Sequence, residues 1–204
     1  MMENLVKAFS WDVNTRTKEH NKIDSGALVI PADIKEGFIW EKNGVKVTPF
    51  TVRHAEFIDS ALGYRVDYEG HSVILSGDTR YSENLIKYAK GTDVVIHEVA
   101  AANEKSMQTS PLINQILGFH TSPEDAAKVF EQSKPKLVIY SHIVLLTAEP
   151  SLPPPTVNEV ISRTQKIYKG PLQMGEDLLS IEIGDSVKVT KYTKPESKPA
   201  EVIK

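Results

Sequence analysis

From Val45 onward the chain repeats one pattern: a β-rich run, then a polar break that carries a histidine or an aspartate. The runs are "VKVTPFTVRH", "ALGYRVDY", "SVILSG", "DVVIHEV" and "KLVIYSH", each of strand length and bounded by Gly, Asn, Asp or Pro. Helical stretches alternate with several of them. "YSENLIKYAKG" offers Ser82 as N-cap and Gly91 as a stop, and "HTSPEDAAKVFEQS" offers Ser122 as N-cap with Pro123 at the first helical position. A third helix, "TVNEVISRTQKIY", follows the proline-rich "EPSLPPP", and two short strands, "LLSIEI" and "SVKVTKY", close the pattern. Such alternation predicts an α/β fold. A hairpin around Gly70 adds an antiparallel part, so the expected sheet is mixed, with flanking helices.

The pattern divides the chain into a weakly patterned segment at 1–44, a patterned domain at 45–190 and a tail at 191–204 whose composition predicts disorder. No apolar run approaches membrane-spanning length, and the first residues lack the apolar centre of a signal peptide. The default compartment is therefore the cytoplasm, with a signal peptide lost upstream as the alternative. A net charge of -3 gives no general attraction for nucleic acid. With no cysteine in the sequence, any metal would have to be held by His, Asp or Glu.

Four of the six histidines fall where the pattern breaks. His54, His97 and His142 each end a β-rich run, and His120 directly precedes a helix start. Asp78 ends "VILSGD", and Glu98 follows His97. In α/β sheets the carboxyl ends of strands are where sites assemble, since side chains there leave the core yet remain fixed by it. Taken singly, each residue has a bland explanation: Asp78 as a turn or cap residue, a strand-end histidine as a surface group. Several independent runs ending in metal-ligand types form a pattern that chance explains poorly. His20 and His71 lack this grammar and are read as surface residues.

The ordered set "VRHAEFIDSALGYRV", "SGDTR", "GTDVVIHEVA", "GFHTSPEDAAKVF" and "KLVIYSH" resembles the second half of the metallo-β-lactamase-fold hydrolases, in the ribonuclease Z and arylsulfatase-like branch. That resemblance implies an αββα-type fold. It also implies metal ligation by His54, Asp78 and His142, with Asp78 bridging two zinc ions. Glu98 would orient His120 as proton donor to the leaving group. The closing "YKGPLQMGEDLLSIEI" is similar to the arylsulfatase-like members, and the short gap from His54 to Asp78 is similar to members without the ribonuclease Z insertion. The family's main metal motif, HxHxDH, occurs nowhere in the sequence. The expectation is therefore the C-terminal half to two-thirds of such a fold, an incomplete chain with weak or partial zinc occupancy.

The function expected first is metal-dependent hydrolysis of a phosphodiester or related ester, on a small-molecule or nucleic-acid substrate. A ribonuclease Z-like RNA-processing endonuclease is the narrower alternative. A binding module that has lost the metal centre is the alternative from another class, and sheet surface exposed by a missing half-fold would leave a homodimer open.

Overall fold

A nine-residue strand buried along most of its length, β5 (Val94–Ala102), organises the molecule. Its run Val-Val-Ile-His-Glu-Val-Ala-Ala-Ala has little polar character, as befits a strand covered on both faces. The computed structural model describes residues 2–20, 32–58 and 60–193, so most of the expected tail lies outside the described residues. The chain divides into two compact units, Met1–Ile34 and Lys35–Lys204.

The first unit contains two helices, α1 (Met2–Ala8) and α2 (Ser10–His20), the latter carrying an Asp12–Arg16 ion pair one turn apart. In α2 the apolar residues are Trp11 and Val13, too few for an apolar stripe at helical spacing.

In the second unit seven strands form one sheet in sequential order. They are β1 (Trp40–Lys42), β2 (Val45–Val52), β3 (Ala61–Tyr68), β4 (His71–Leu75), β5, β6 (Leu137–Leu146) and β7 (Leu172–Met174). The first four pair antiparallel, and β4 through β7 pair parallel. This is the mixed sheet the sequence predicts. The β3–β4 hairpin turns on Glu69 and Gly70, both with positive φ (48° and 82°), the twist a two-residue hairpin requires.

The parallel half needs crossovers, and capped helices supply them. They are α3 (Glu83–Ala89), the short α4 (Glu104–Thr109) and α5 (Pro111–Leu117), then α6 (Pro123–Ser133) and α7 (Val157–Gln165). Ser82 and Ser122 accept hydrogen bonds from Leu85 N and Asp125 N, and Thr156 forms a reciprocal capping box with Glu159. Leu85 and Ala89 of α3, Ala126, Val129 and Phe130 of α6, and Val160 of α7 pack on Phe50, Ile74, Val95, Val138 and Tyr140 of the sheet. On a second cluster, Val94, Leu137 and Ile139 meet apolar side chains of a separate hairpin, β8 (Ser180–Ile183) and β9 (Val187–Thr190). Burying each of the larger apolar side chains contributes about 1.5–3 kcal/mol.

Strand β4 leaves the sheet through Gly77, whose φ of +60° and position allow no side chain: a Cβ there would lie 2.6 Å from the Leu62 carbonyl oxygen. Gly77→Ala should therefore destabilise the protein by about 1–3 kcal/mol from backbone strain alone, with the clash adding to it. Urea unfolding measures this, and an unchanged midpoint would contradict the assigned geometry.

Helices α6 and α7 are joined at their ends by Arg163, which donates through Nε and Nη2 to the two carboxylate oxygens of Glu124, both at 2.7 Å. The Arg163 guanidinium holds the Glu124 carboxyl below its ordinary value, against the opposing effect of burial. The stability it supplies is thus fully present above the unfolded-state value and is lost as pH falls through the depressed one. Both side chains are partly exposed, so water screens the pair and its worth is at most about 1 kcal/mol. Arg163→Gln should lower stability at neutral pH by that amount and flatten the acid limb of the stability–pH curve, whereas an identical acid limb would show that the pair contributes nothing.

Candidate metal centre

Two chain segments that leave the sheet, after β2 and after β4, and a third that joins α5 to α6 are tied together by hydrogen bonds. After β2, Arg53 N donates to Thr79 Oγ1, and the Arg53 carbonyl accepts from Thr79 Oγ1 and from Arg80 N. Before α6, Thr121 Oγ1 donates to the Thr79 carbonyl at 2.5 Å, and the Thr121 carbonyl accepts from Ala100 N. Thr79 and Thr121 are essentially buried. Their chain neighbours carry the chemistry: Asp78 beside Thr79, and His120 beside Thr121.

Glu98, buried in the middle of β5, joins these segments. Its Oε1 accepts from Thr121 N at 2.7 Å and more loosely from Thr79 N at 3.4 Å. Its Oε2 lies 3.3 Å from His120 Nδ1, yet the two are not aligned as a hydrogen bond and neither atom has another partner. Burial pushes the Glu98 carboxyl up to about 8, against the two backbone donors that pull it down. Burial also lowers His120 from the ordinary imidazole value; the Asp78 charge opposes that, and His54 and His142 reinforce it. Both shifts act against an imidazolium–carboxylate pair.

His142 reaches the same place by a different device. The sequence reads it as the end of a strand, but β6 continues to Leu146. Glu98 pairs with Ser141 and Val99 pairs with Ile143, so His142 is the extra residue of a β-bulge. Its φ of 43° is the left-handed conformation that a non-glycine residue adopts only when its surroundings impose it. A bulge re-aims one side chain, and here His142 Nε2 comes to 3.6 Å from Asp78 Oδ2. Both side chains are about half exposed, so solvent or a ligand can reach them.

Donor atoms of Asp78, His120 and His142 all lie within 4.8 Å of one another, which brings three of the five sequence-predicted site residues to one point. His54 stands alongside, its ring 5.2 Å from that of His120. Its Nδ1–H donates to the Phe119 carbonyl at 2.7 Å, which leaves Nε2 with a free lone pair in the neutral tautomer. Asp78, His120 and His142 together form a two-histidine, one-carboxylate set of the kind that suits one divalent ion with open positions. Two zinc ions would need about four donors each, more than the described residues bring together here.

The remaining histidines differ. His97, read as a strand end, sits within β5, fully buried against Phe130, and donates from Nδ1 to the Glu98 carbonyl. Burial lowers it to about 4, so it is neutral at physiological pH. His71, read as a surface residue, is partly buried 3.4 Å from the buried Asp93. For His20 only the backbone, at the end of α2, is described. Sequence reasoning missed Thr79 and Thr121, whose N–H groups and hydroxyls bond to segments distant in the chain, which local patterning does not reveal.

A family model described as "Beta-lactamase superfamily domain" matches residues 9–143. Among curated relatives, a ribonuclease Z from Mycolicibacterium gilvum is 25% identical over 92% of this chain. A putative ribonuclease Z from Mycobacterium tuberculosis is 22% identical over 90%. The chain spans 63% of the first relative's length and 79% of the second's. Among solved structures, the metallo-β-lactamase fold protein YhfI from Bacillus subtilis superposes with a TM-score of 0.55 at 10% identity, covering 70% of this chain and 52% of that one. CmlA, a diiron β-hydroxylase from Streptomyces venezuelae, superposes with a TM-score of 0.51 at 11% identity, covering 79% of this chain and 34% of that one. At such identities the superpositions speak to fold alone. With the family match extending over more than half of its length, this chain belongs to the metallo-β-lactamase superfamily.

Proposed function

We propose that the protein is a metal-dependent hydrolase of phosphodiesters or closely related esters, working at the edge where Asp78, His120 and His142 meet. The observation that carries the reading is the convergence of these three donors from separate segments to within 4.8 Å. Asp78 and His142 are the proposed holders of the ion, and His54, whose ring stands 5.2 Å from that of His120, is the proposed further donor. A bound divalent cation supplies Lewis acidity, making water nucleophilic at neutral pH and drawing charge from the ester. Zinc suits nitrogen and carboxylate donors of this kind. The dinuclear arrangement implied by the family resemblance would need donors beyond those gathered here.

The protein's own groups do the rest. His120 faces Glu98 through Nδ1, so its Nε2 is the atom that would pass a proton to a leaving oxygen as the buried Glu98 carboxyl gives one to Nδ1. Glu98, fixed by Thr121 N and Thr79 N and 3.3 Å from Nδ1, is the group proposed to orient that imidazole. The half-exposed Asp78 and His142 leave the centre open to a substrate. A narrower reading, RNA processing, is favoured by the ribonuclease Z relatives that cover about nine tenths of the chain. A net charge of -3 means that any such substrate would be gripped by a local cationic feature.

Purified protein should bind about one zinc ion per chain by elemental analysis and hydrolyse bis(p-nitrophenyl) phosphate. Asp78→Ala should remove both the metal and the activity. His120→Ala should keep the metal and slow turnover roughly 100-fold or more, as expected for loss of a proton donor; loss of metal instead would make His120 a ligand. A wild-type protein with neither metal nor hydrolysis would overturn the hydrolase reading in favour of a non-catalytic binding module.

A further inference from the structure

Five arginines occur in the sequence, and three are held in ion pairs: Arg16 with Asp12, Arg65 with Asp67 and Arg163 with Glu124. Among the described residues Arg53 and Arg80 have no carboxylate partner, and the two line the same cavity, of about 340 Å³, together with His120. Arg80 Nε is buried without a hydrogen-bond partner. A cationic side chain with one buried, unsatisfied donor and no carboxylate partner favours an anion beside the rest of its fork. The cavity's carboxylate, Asp125, is 2.7 Å from Lys128 Nζ, so it is already partnered outside the arginine pair.

The two arginines are also fixed relative to each other. Arg80 N donates to the Arg53 carbonyl, and Thr79 Oγ1 bridges the same two segments. Arg80 follows Asp78 by two residues and Arg53 precedes His54, so the arginine pair is built into the same loops as the candidate centre. A guanidinium presents planar, forked donors that match the oxygens of a phosphate, and it stays charged at any physiological pH. A cavity of this size lies at the small end of ligand sites, adequate for one phosphate with part of its ester group.

We propose that the Arg53–Arg80 cavity is an anion subsite that grips a phosphate of the substrate beside the centre and so selects phosphate esters over neutral ones. The proposal deepens the phosphodiester reading above and rests on it for its consequence in turnover, while the binding itself depends on the arginines alone. It also supplies the local cationic feature that the chain's overall charge does not.

The test titrates the full chain with inorganic phosphate by calorimetry, in wild type and in three variants. Wild type should bind phosphate saturably at millimolar concentration. Arg53→Gln and Arg80→Gln should each weaken binding by about tenfold or more, and Asp78→Ala should leave it within about twofold. Arg53 is exposed, so its replacement removes charge without disturbing the core, and it keeps the test valid if Arg80→Gln folds poorly. No saturable binding in wild type, or binding lost in Asp78→Ala and retained in both arginine variants, would overturn the subsite. The two readings fail separately. Phosphate binding through the arginines in a protein that hydrolyses nothing keeps the subsite and sinks the hydrolase. Hydrolysis whose kcat/KM ratio for bis(p-nitrophenyl) phosphate against p-nitrophenyl acetate is unmoved in Arg53→Gln keeps the hydrolase and sinks the subsite.

Discussion

A carboxyl group buried in the middle of the sheet, Glu98, is the constraint on which the candidate centre depends. Its Oε1 accepts from the backbones of Thr121 and Thr79, and those residues sit next to His120 and Asp78 in the chain. One buried acceptor thus sets the positions of two donors that come from different crossovers. Burial of that group is costly, as its rise to about 8 shows. The cost is offset at Oε1, which accepts from two N–H groups, while Oε2 lies 3.3 Å from His120 Nδ1 without a hydrogen bond. Replacing Glu98 by an apolar residue would free two loops at once, so its influence extends beyond the histidine it faces.

The sheet supplies the rigidity this network needs. Its parallel half places the exits of β4 and β5 side by side, and the helices α3, α6 and α7 cover the core beneath them. Gly77 lets β4 turn out directly against the Leu62 carbonyl, which delivers Asp78 to the edge. His142 arrives from β6 by a bulge, with a left-handed backbone that the surrounding ladder imposes. Strain of this kind costs about 1–3 kcal/mol and persists where the structure over-determines it, a common feature of functional sites.

Much of this was legible in the residues, because the signals were local. The caps at Ser82 and Ser122, the Gly70 hairpin and the strand-then-Asp pattern of "VILSGD" depend on near neighbours and emerge as read. The sequence puts His142 at a strand end, whereas it lies at a bulge within β6. Period-two patterning in "KLVIYSHIVLL" cannot reveal one extra residue, so a bulge inside a ten-residue strand looks like a strand end. His97 was misread in the same way, since the apolar residues after Glu98 continue β5. The helices α4 and α5 span only a turn or two, too short for helical periodicity to register. Thr79, Thr121 and the unpaired state of Arg53 and Arg80 are long-range facts: which arginines lack a carboxylate partner is decided by packing.

The central claim is that the edge built on Glu98 holds a divalent ion between Asp78 and His142. An anomalous difference map collected at the zinc absorption edge, from crystals of the protein grown with zinc, tests it most directly. The account predicts a peak within bonding distance of a carboxylate oxygen of Asp78 and of His142 Nε2. A map with zinc bound elsewhere, and Asp78 and His142 free of it, would contradict the account.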